Sequence, residues 1–257
     1  VTNMSNMYSS CHKLIGLDVS KFDTSRVTDM SDMFCLCWEL PSVNVSKFNT
    51  KNVTDMSGMF NGCMSVKKID VSNFDTTKVT TMAAMFQQCH QLADLDVGEF
   101  NTKNVIEMYN MFYECKKLTE LNLSNFDMTK VTGTYAQDML SGMNSLGRIR
   151  TPKNVKVDII LPGNVKWKTS SGTKYTYLPK NKTTSILLLN IGSPSKMVTK
   201  NKRRIIVDSK GVRIATNGIV KLGSVSYYVI DGYVQNTTGL VQYNNKYWYV
   251  KNGIVNT

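Results

Sequence analysis

Residues 53–78 read VTDMSGMFNGCMSVKKIDVSNFDTTK, and residues 79–104 read VTTMAAMFQQCHQLADLDVGEFNTKN. Laid over one another, the two segments agree at Val53/Val79, Met56/Met82, Met59/Met85, Phe60/Phe86, Cys63/Cys89, Val71/Val97 and Phe74/Phe100. The same step of 26 residues joins Phe22, Phe48, Phe74, Phe100 and Phe126, and also Cys11, Cys37, Cys63, Cys89 and Cys115. A fixed period of this size is the mark of a chain built from repeated supersecondary units. A single unit buries too little apolar surface to offset the entropy of ordering its own backbone, so each must fold against its neighbours.

Within a unit, an apolar-x-apolar run such as Ile69-Asp70-Val71 or Leu121-Asn122-Leu123, preceded by Val66 or Leu118, spells L-x-x-L-x-L and predicts a short strand. The M-x-x-M-F segment that follows predicts one or two helical turns, with Thr28, Thr54 and Thr80 as caps. In stacked units equivalent residues form columns. One column is Asp23, Asn49, Asp75, Asn101 and Asp127, in which Asn separates like charges. A second is Asp18, Asn44, Asp70, Asp96 and Asn122, between inward residues and therefore outward-facing. The spacing slips late: Met111 to Met139 is 28 residues, so two residues enter around Gly133–Asp138 before Leu146 and Ile149 resume the pattern.

The unit L-x-x-L-[DN]-V-S-x-F-[DN]-T-x-x-V-T-x-M-x-x-M-F-x-x-C resembles the BspA-like leucine-rich repeats of bacterial surface proteins, over residues 1–150. That resemblance implies an α/β leucine-rich-repeat solenoid of parallel strands and short helical turns. Residues 151–192 look like the β-rich segment that closes such arrays, with Val155, Val157, Ile159 and Leu161 alternating as a strand and Ser171-Gly172 as a hairpin turn. It further implies secretion, display on the bacterial surface, and binding to a host or bacterial surface protein or glycan without enzymatic activity.

Residues 193–204 lack periodicity, hold Lys200, Lys202, Arg203 and Arg204, and read as a basic linker in preference to a nuclear-localisation signal. A second period of 21 then joins Gly211, Gly232 and Gly253, and also Tyr228 and Tyr249. Aromatic runs end in Asp231-Gly232 and Asn252-Gly253, a strong hairpin signal. Residues 205–257 thus read as a β-hairpin repeat module that resembles Gram-positive cell-wall-binding repeats. Ile219 and Leu240 stand where choline-type repeats carry Trp, so a full aromatic cage is not expected.

Catalytic patterns fare poorly. Asp70 and Asp96 fall in one column at the separation of a retaining-glycosidase pair, but the column itself explains their closeness. His12 and His90 each directly follow a column cysteine and read as surface residues. The G-x-S-x-G, H-E-x-x-H, P-loop and G-x-G-x-x-G motifs are missing from the sequence. Five of the six cysteines share a column and read as reduced packing residues. With no C-x-x-C pair, zinc is not expected, nor is any cofactor. The 15 methionines read as core.

Charge is segregated: residues 1–146 carry 12 Lys+Arg against 16 Asp+Glu, and residues 147–257 carry 19 against 3. A field of that sign favours an anionic partner. The expected function is a non-enzymatic adhesin or ligand-binding protein. Its strand-face contacts would be Asp18, Asn44, Lys68, Asp70, Asp94, Asp96, Glu120 and Asn122. Tyr227, Tyr228, Tyr247, Trp248 and Tyr249 would hold an anionic cell-wall polymer. Nucleic acid and membrane insertion are not expected, since no apolar run approaches a bilayer span. The alternative is a structural spacer displaying other domains. The chain opens at Val1 inside a unit, which reads as a piece of something longer.

Overall fold

The computed structural model describes residues 1–131, 136, 138–162, 167–169, 171–190, 196–200, 203–207, 218–222, 224–230, 233–243 and 246–256. Among them there is no helix: the fold is all-β, made of short strands, isolated bridges and turns, with parallel and antiparallel pairing in open sheets. The α/β leucine-rich-repeat solenoid is therefore not what this chain builds, and the BspA-like resemblance fails with it.

The reason lies in the M-x-x-M-F segment. Each copy holds two left-handed residues four apart: Asn6 and Ser10, Asp32 and Leu36, Gly58 and Gly62, Ala84 and Gln88, Asn110 and Glu114. An α-helix admits none, because a left-handed residue costs about 1–2 kcal/mol and turns its amide out of line. Here the reversal serves a purpose. Met30, Asp32, Phe34 and Leu36 send their amides to the carbonyls of Asp55, Ser57, Met59 and Asn61, one period ahead, while Met33, Cys35 and Cys37 bond back three residues. Met56, Gly58, Phe60 and Gly62 repeat the pattern onto Thr81, Ala83, Met85 and Gln87. The segment is a string of turns whose alternate amides point to the next layer.

The expected caps likewise do something else. Thr54 donates both its amide and its hydroxyl to the carbonyl of Thr28, and Thr80 does the same to Thr54. Parallel bridges Asn3↔Asp29, Asp29↔Asp55, Asp55↔Thr81 and Thr81↔Glu107 run beside them. The expected L-x-x-L-x-L strands shrink to one bridge, Lys68↔Asp94, and one paired ladder, Glu120–Asn122 with Arg148–Arg150.

Side chains complete the layers. Phe34, Phe60, Phe86 and Phe112 are fully buried and stack with ring centroids 5.6–5.8 Å apart. Thr24, Thr50, Thr76 and Thr102 are buried, and their hydroxyls donate to the carbonyls of Asn49, Asp75, Asn101 and Asp127. The hydroxyls of Thr24, Thr76 and Thr102 also accept the amide of that same residue. Cys37, Cys63, Cys89 and Cys115 donate their thiols to the carbonyls of Tyr8, Phe34, Phe60 and Phe86. Burial pushes the thiols of Cys63, Cys89 and Cys115 well up and that of Cys37 up to about 11, so these groups stay protonated donors.

The chain divides into two compact units. The first comprises residues 1–164 and 175–187, and the second residues 165–174 and 188–257. In the first, Ile159–Ile160 pairs antiparallel with Tyr177–Leu178, and Val155, Ile159 and Leu161 point inward. Most of the register slip at Gly133–Asp138 falls outside the described residues.

In the second unit, hairpins 218–222/225–230 and 239–243/246–251 each hand on to a short strand, 233–234 and 254–256. Ile206, Val220, Val229 and Val234 form its core, with Met197, Leu222 and Tyr227 against it. Part of the segment read as an aperiodic connector is ordered, since 196–200 pairs antiparallel with 203–207. Asn252 and Gly253, both left-handed, turn the chain between the last two strands. A Cβ on Gly253 would sit 2.4 Å from the carbonyl oxygen of Gln235. Asp231-Gly232 and Gly211 lie outside the described residues.

The two threonine columns separate buried from exposed hydrogen bonding. Thr76→Val should cost about 1–3 kcal/mol, because the Asn101 amide loses its acceptor inside the stack. Thr80→Val, on the exposed column whose backbone bond survives, should stay within about 0.5 kcal/mol. Chemical denaturation of the two variants reads the difference.

Candidate functional site

The eight residues predicted for the strand face are all exposed: Asp18, Asn44, Lys68, Asp70, Asp94, Asp96, Glu120 and Asn122. Most of their hydrogen-bonding capacity is already engaged. Asp18, Asn44, Asp70, Asp96 and Asn122 each accept, on one side-chain oxygen, the amide two residues on, from Ser20, Ser46, Ser72, Gly98 and Ser124. These are Asx turns, which explain why short polar residues fill the column. Lys68 and Asp94 pair at 2.8 Å, and Glu120 lies 3.8 Å from Arg148. Both pairs are solvent-exposed links between adjacent layers and contribute little to stability.

The reading of this surface as the strand face of a leucine-rich-repeat adhesin is overturned, since there is no alternating strand-and-helix coil to present it. What the structure puts in its place is a shallow depression around Leu95, Asp96, Glu120, Leu121, Asn122, Arg148 and Arg150. Arg148 and Arg150 were not foreseen. They stand in register with Glu120 and Asn122, and only the two-residue slip before them hid that from the sequence. Carboxylates from earlier layers and guanidinium groups from the later one thus meet in one hollow.

A second unforeseen group is His90, Glu114 and Lys116. The imidazole Nε2 lies 3.1 Å from a Glu114 carboxylate oxygen, and the Lys116 ammonium lies 3.2 Å from the same oxygen. The contact with His90 leads in holding the Glu114 carboxyl below the usual carboxylate range. His90 comes from the position after one column cysteine and Lys116 from the position after the next, so the 26-residue step brings them together.

In the second unit, the predicted polymer-binding aromatics divide by face. Tyr247 and Tyr249 point outward at 70% and 47% exposure, with exposed Lys251 on the same side. Leu240 pairs with Tyr249 across the hairpin and is 71% exposed. Trp248 takes the opposite face, next to buried Val250, while Tyr227 packs on the apolar core and Tyr228 is half-buried. Arg203 lies over the Tyr233 ring, 5.6 Å from its centroid, and the Arg204 guanidinium donates to Asn236 and to the carbonyl of Asn252.

Among the described residues, no three His, Cys, Asp or Glu side chains are grouped to hold a metal ion, and no helix is long and apolar enough to cross a membrane. No nucleophile is paired with a base in either hollow. The cysteines are shielded or bonded to carbonyls, and Cys35 is pushed up to about 11, mainly by burial.

The carboxylates in Asx turns give the first unit an acid limb. Hydrogen bonds from Ser20, Ser25, Ser72 and Thr77 hold Asp18, Asp23, Asp70 and Asp75 below the usual carboxylate range. A lowered folded-state pKa contributes stability that is present above the unfolded value, about 4, and is lost as pH falls through the folded one. Changing all four to Asn, as at Asn44 and Asn49, keeps the turns and removes the titration. Melting temperature followed downward from pH 5 should therefore drop less in the variant than in the parent chain; parallel curves would contradict this.

A family model described as "Mycoplasma protein of unknown function, DUF285" matches residues 1–68 and 37–151, together more than half of the 257-residue chain. The chain belongs to this family. No curated protein and no solved structure matches it.

Proposed function

We propose that this DUF285 chain is a non-enzymatic binding protein of the cell exterior, whose second unit associates with an anionic glycan polymer. One observation carries the reading: residues 165–174 and 188–257 hold 13 Lys+Arg and only two Asp+Glu. Such a charge density draws a polyanion from a distance and holds it through release of counterions. Outward Tyr247 and Tyr249, with Lys251 between hairpin and solvent, supply flat apolar faces for sugar rings next to a cation. Arg203, also exposed, lies on the same sheet.

The absence of any paired nucleophile, base or metal cluster among the described residues is consistent with binding as the whole activity. Single-stranded nucleic acid is the competing polyanion, because stacked Tyr beside Lys also suits bases. Ordered hairpins that present two tyrosines on one face favour a polymer of sugars over one of bases.

The test is retention of the full chain on a sulfated or phosphorylated polysaccharide, against single-stranded DNA at equal charge. The glycan should bind more tightly, with affinity falling about tenfold or more between 50 and 200 mM salt. Tyr247→Ala combined with Tyr249→Ala should weaken glycan binding several-fold at fixed salt. Tighter retention on DNA, or retention that ignores both tyrosines, would refute the proposal.

A further inference from the structure

We infer that the outer face of the first layer is an unfilled acceptor for one more layer of the same 26-residue kind, seated on the N-terminal side of Val1. At each junction that follows, four amides of one layer meet four carbonyls of the next. Met4, Asn6, Tyr8 and Ser10 donate to Asp29, Ser31, Met33 and Cys35, and the three later junctions within residues 30–113 repeat this. The equivalent carbonyls of the first layer belong to Asn3, Ser5, Met7 and Ser9, and no described backbone amide donates to them. The thiols of Cys37, Cys63, Cys89 and Cys115 each reach a carbonyl one layer back, and Cys11 has no such carbonyl.

Exposure agrees with the hydrogen bonds. Val1 is 78% exposed, whereas Val27, Val53, Val79 and Val105 are fully buried. Met7 is 48% exposed, and Met33, Met59, Met85 and Met111 are fully buried. Cys11 is half-exposed in a column of buried thiols, and Phe22 is half-buried where Phe48, Phe74, Phe100 and Phe126 are buried. In every one of these columns the first member is the uncovered one.

Polarity selects the occupant. A second copy offering its own first layer would set carbonyls against carbonyls. Its later layers cannot serve, because their amides are spent: those of Phe112 and Glu114 already bond Met139 and Ser141. A detached layer would have to order its own backbone unaided, which its small core does not support. A layer joined through the peptide bond to Val1 has the right donors, the right apolar columns and no such cost. The face continues an interface the molecule already uses at each later junction.

The test grafts a copy of residues 53–78 directly ahead of Val1 in the full chain, with the graft's cysteine changed to serine. Native-state alkylation of Cys11, located by mass spectrometry, should slow on the order of tenfold, and the melting temperature should rise. A second graft carrying M59D and F60D should leave Cys11 labelling as in the parent, while an unlabelled Cys63 shows that the body is folded. Unchanged Cys11 labelling with the first graft would overturn the inference. So would concentration-dependent protection of Cys11 in the ungrafted chain, which would make a second copy the occupant.

Discussion

Backbone hydrogen bonds that run from one 26-residue layer to the next are what the first unit depends on. Regular helices satisfy their amides within one segment, and broad sheets satisfy them along strands. This chain does neither. Two left-handed residues per layer turn alternate amides along the stack, and the remaining amides close tight turns behind them. Everything else in the layer protects that ladder. The phenylalanine stack keeps water out, the buried threonines saturate the carbonyls and amides at the corner, and the cysteines use their thiols on carbonyls the backbone leaves over.

The second unit solves the same problem by ordinary antiparallel pairing, around a smaller apolar core. It also carries most of the positive charge, while the first unit's carboxylates are tied into Asx turns. Acidic residues in the first unit are therefore mostly structural, and basic residues in the second are mostly uncommitted. That division, more than any pocket, separates architecture from recognition in this protein.

Spacing was legible in the sequence and local conformation was not. The columns of Phe, Met and Cys announced equivalent environments every 26 residues, but M-x-x-M-F satisfies a helical pattern as well as a turn pattern. What distinguishes them is the left-handed positions, where Gly58, Gly62, Asn6, Asp32 and Asn110 are tell-tale and Leu36, Ala84, Gln88 and Glu114 are not. With nearly half of such positions filled by good helix formers, propensity pointed the wrong way and layer-to-layer bonding overrode it. The outward Asx column was visible as polar. Its role as a row of turns became clear only when each serine amide was seen to reach back, and Arg148 and Arg150 were masked by a two-residue slip.

The most direct test is the scalar coupling that passes through a backbone hydrogen bond, measured by NMR on isotopically labelled protein. The amide nitrogens of Phe34, Phe60 and Phe86 should couple to the carbonyl carbons of Met59, Met85 and Met111, the partners one layer ahead. Coupling of Phe60 to the carbonyl of Met56, four residues back, would reveal a helical turn and contradict the account.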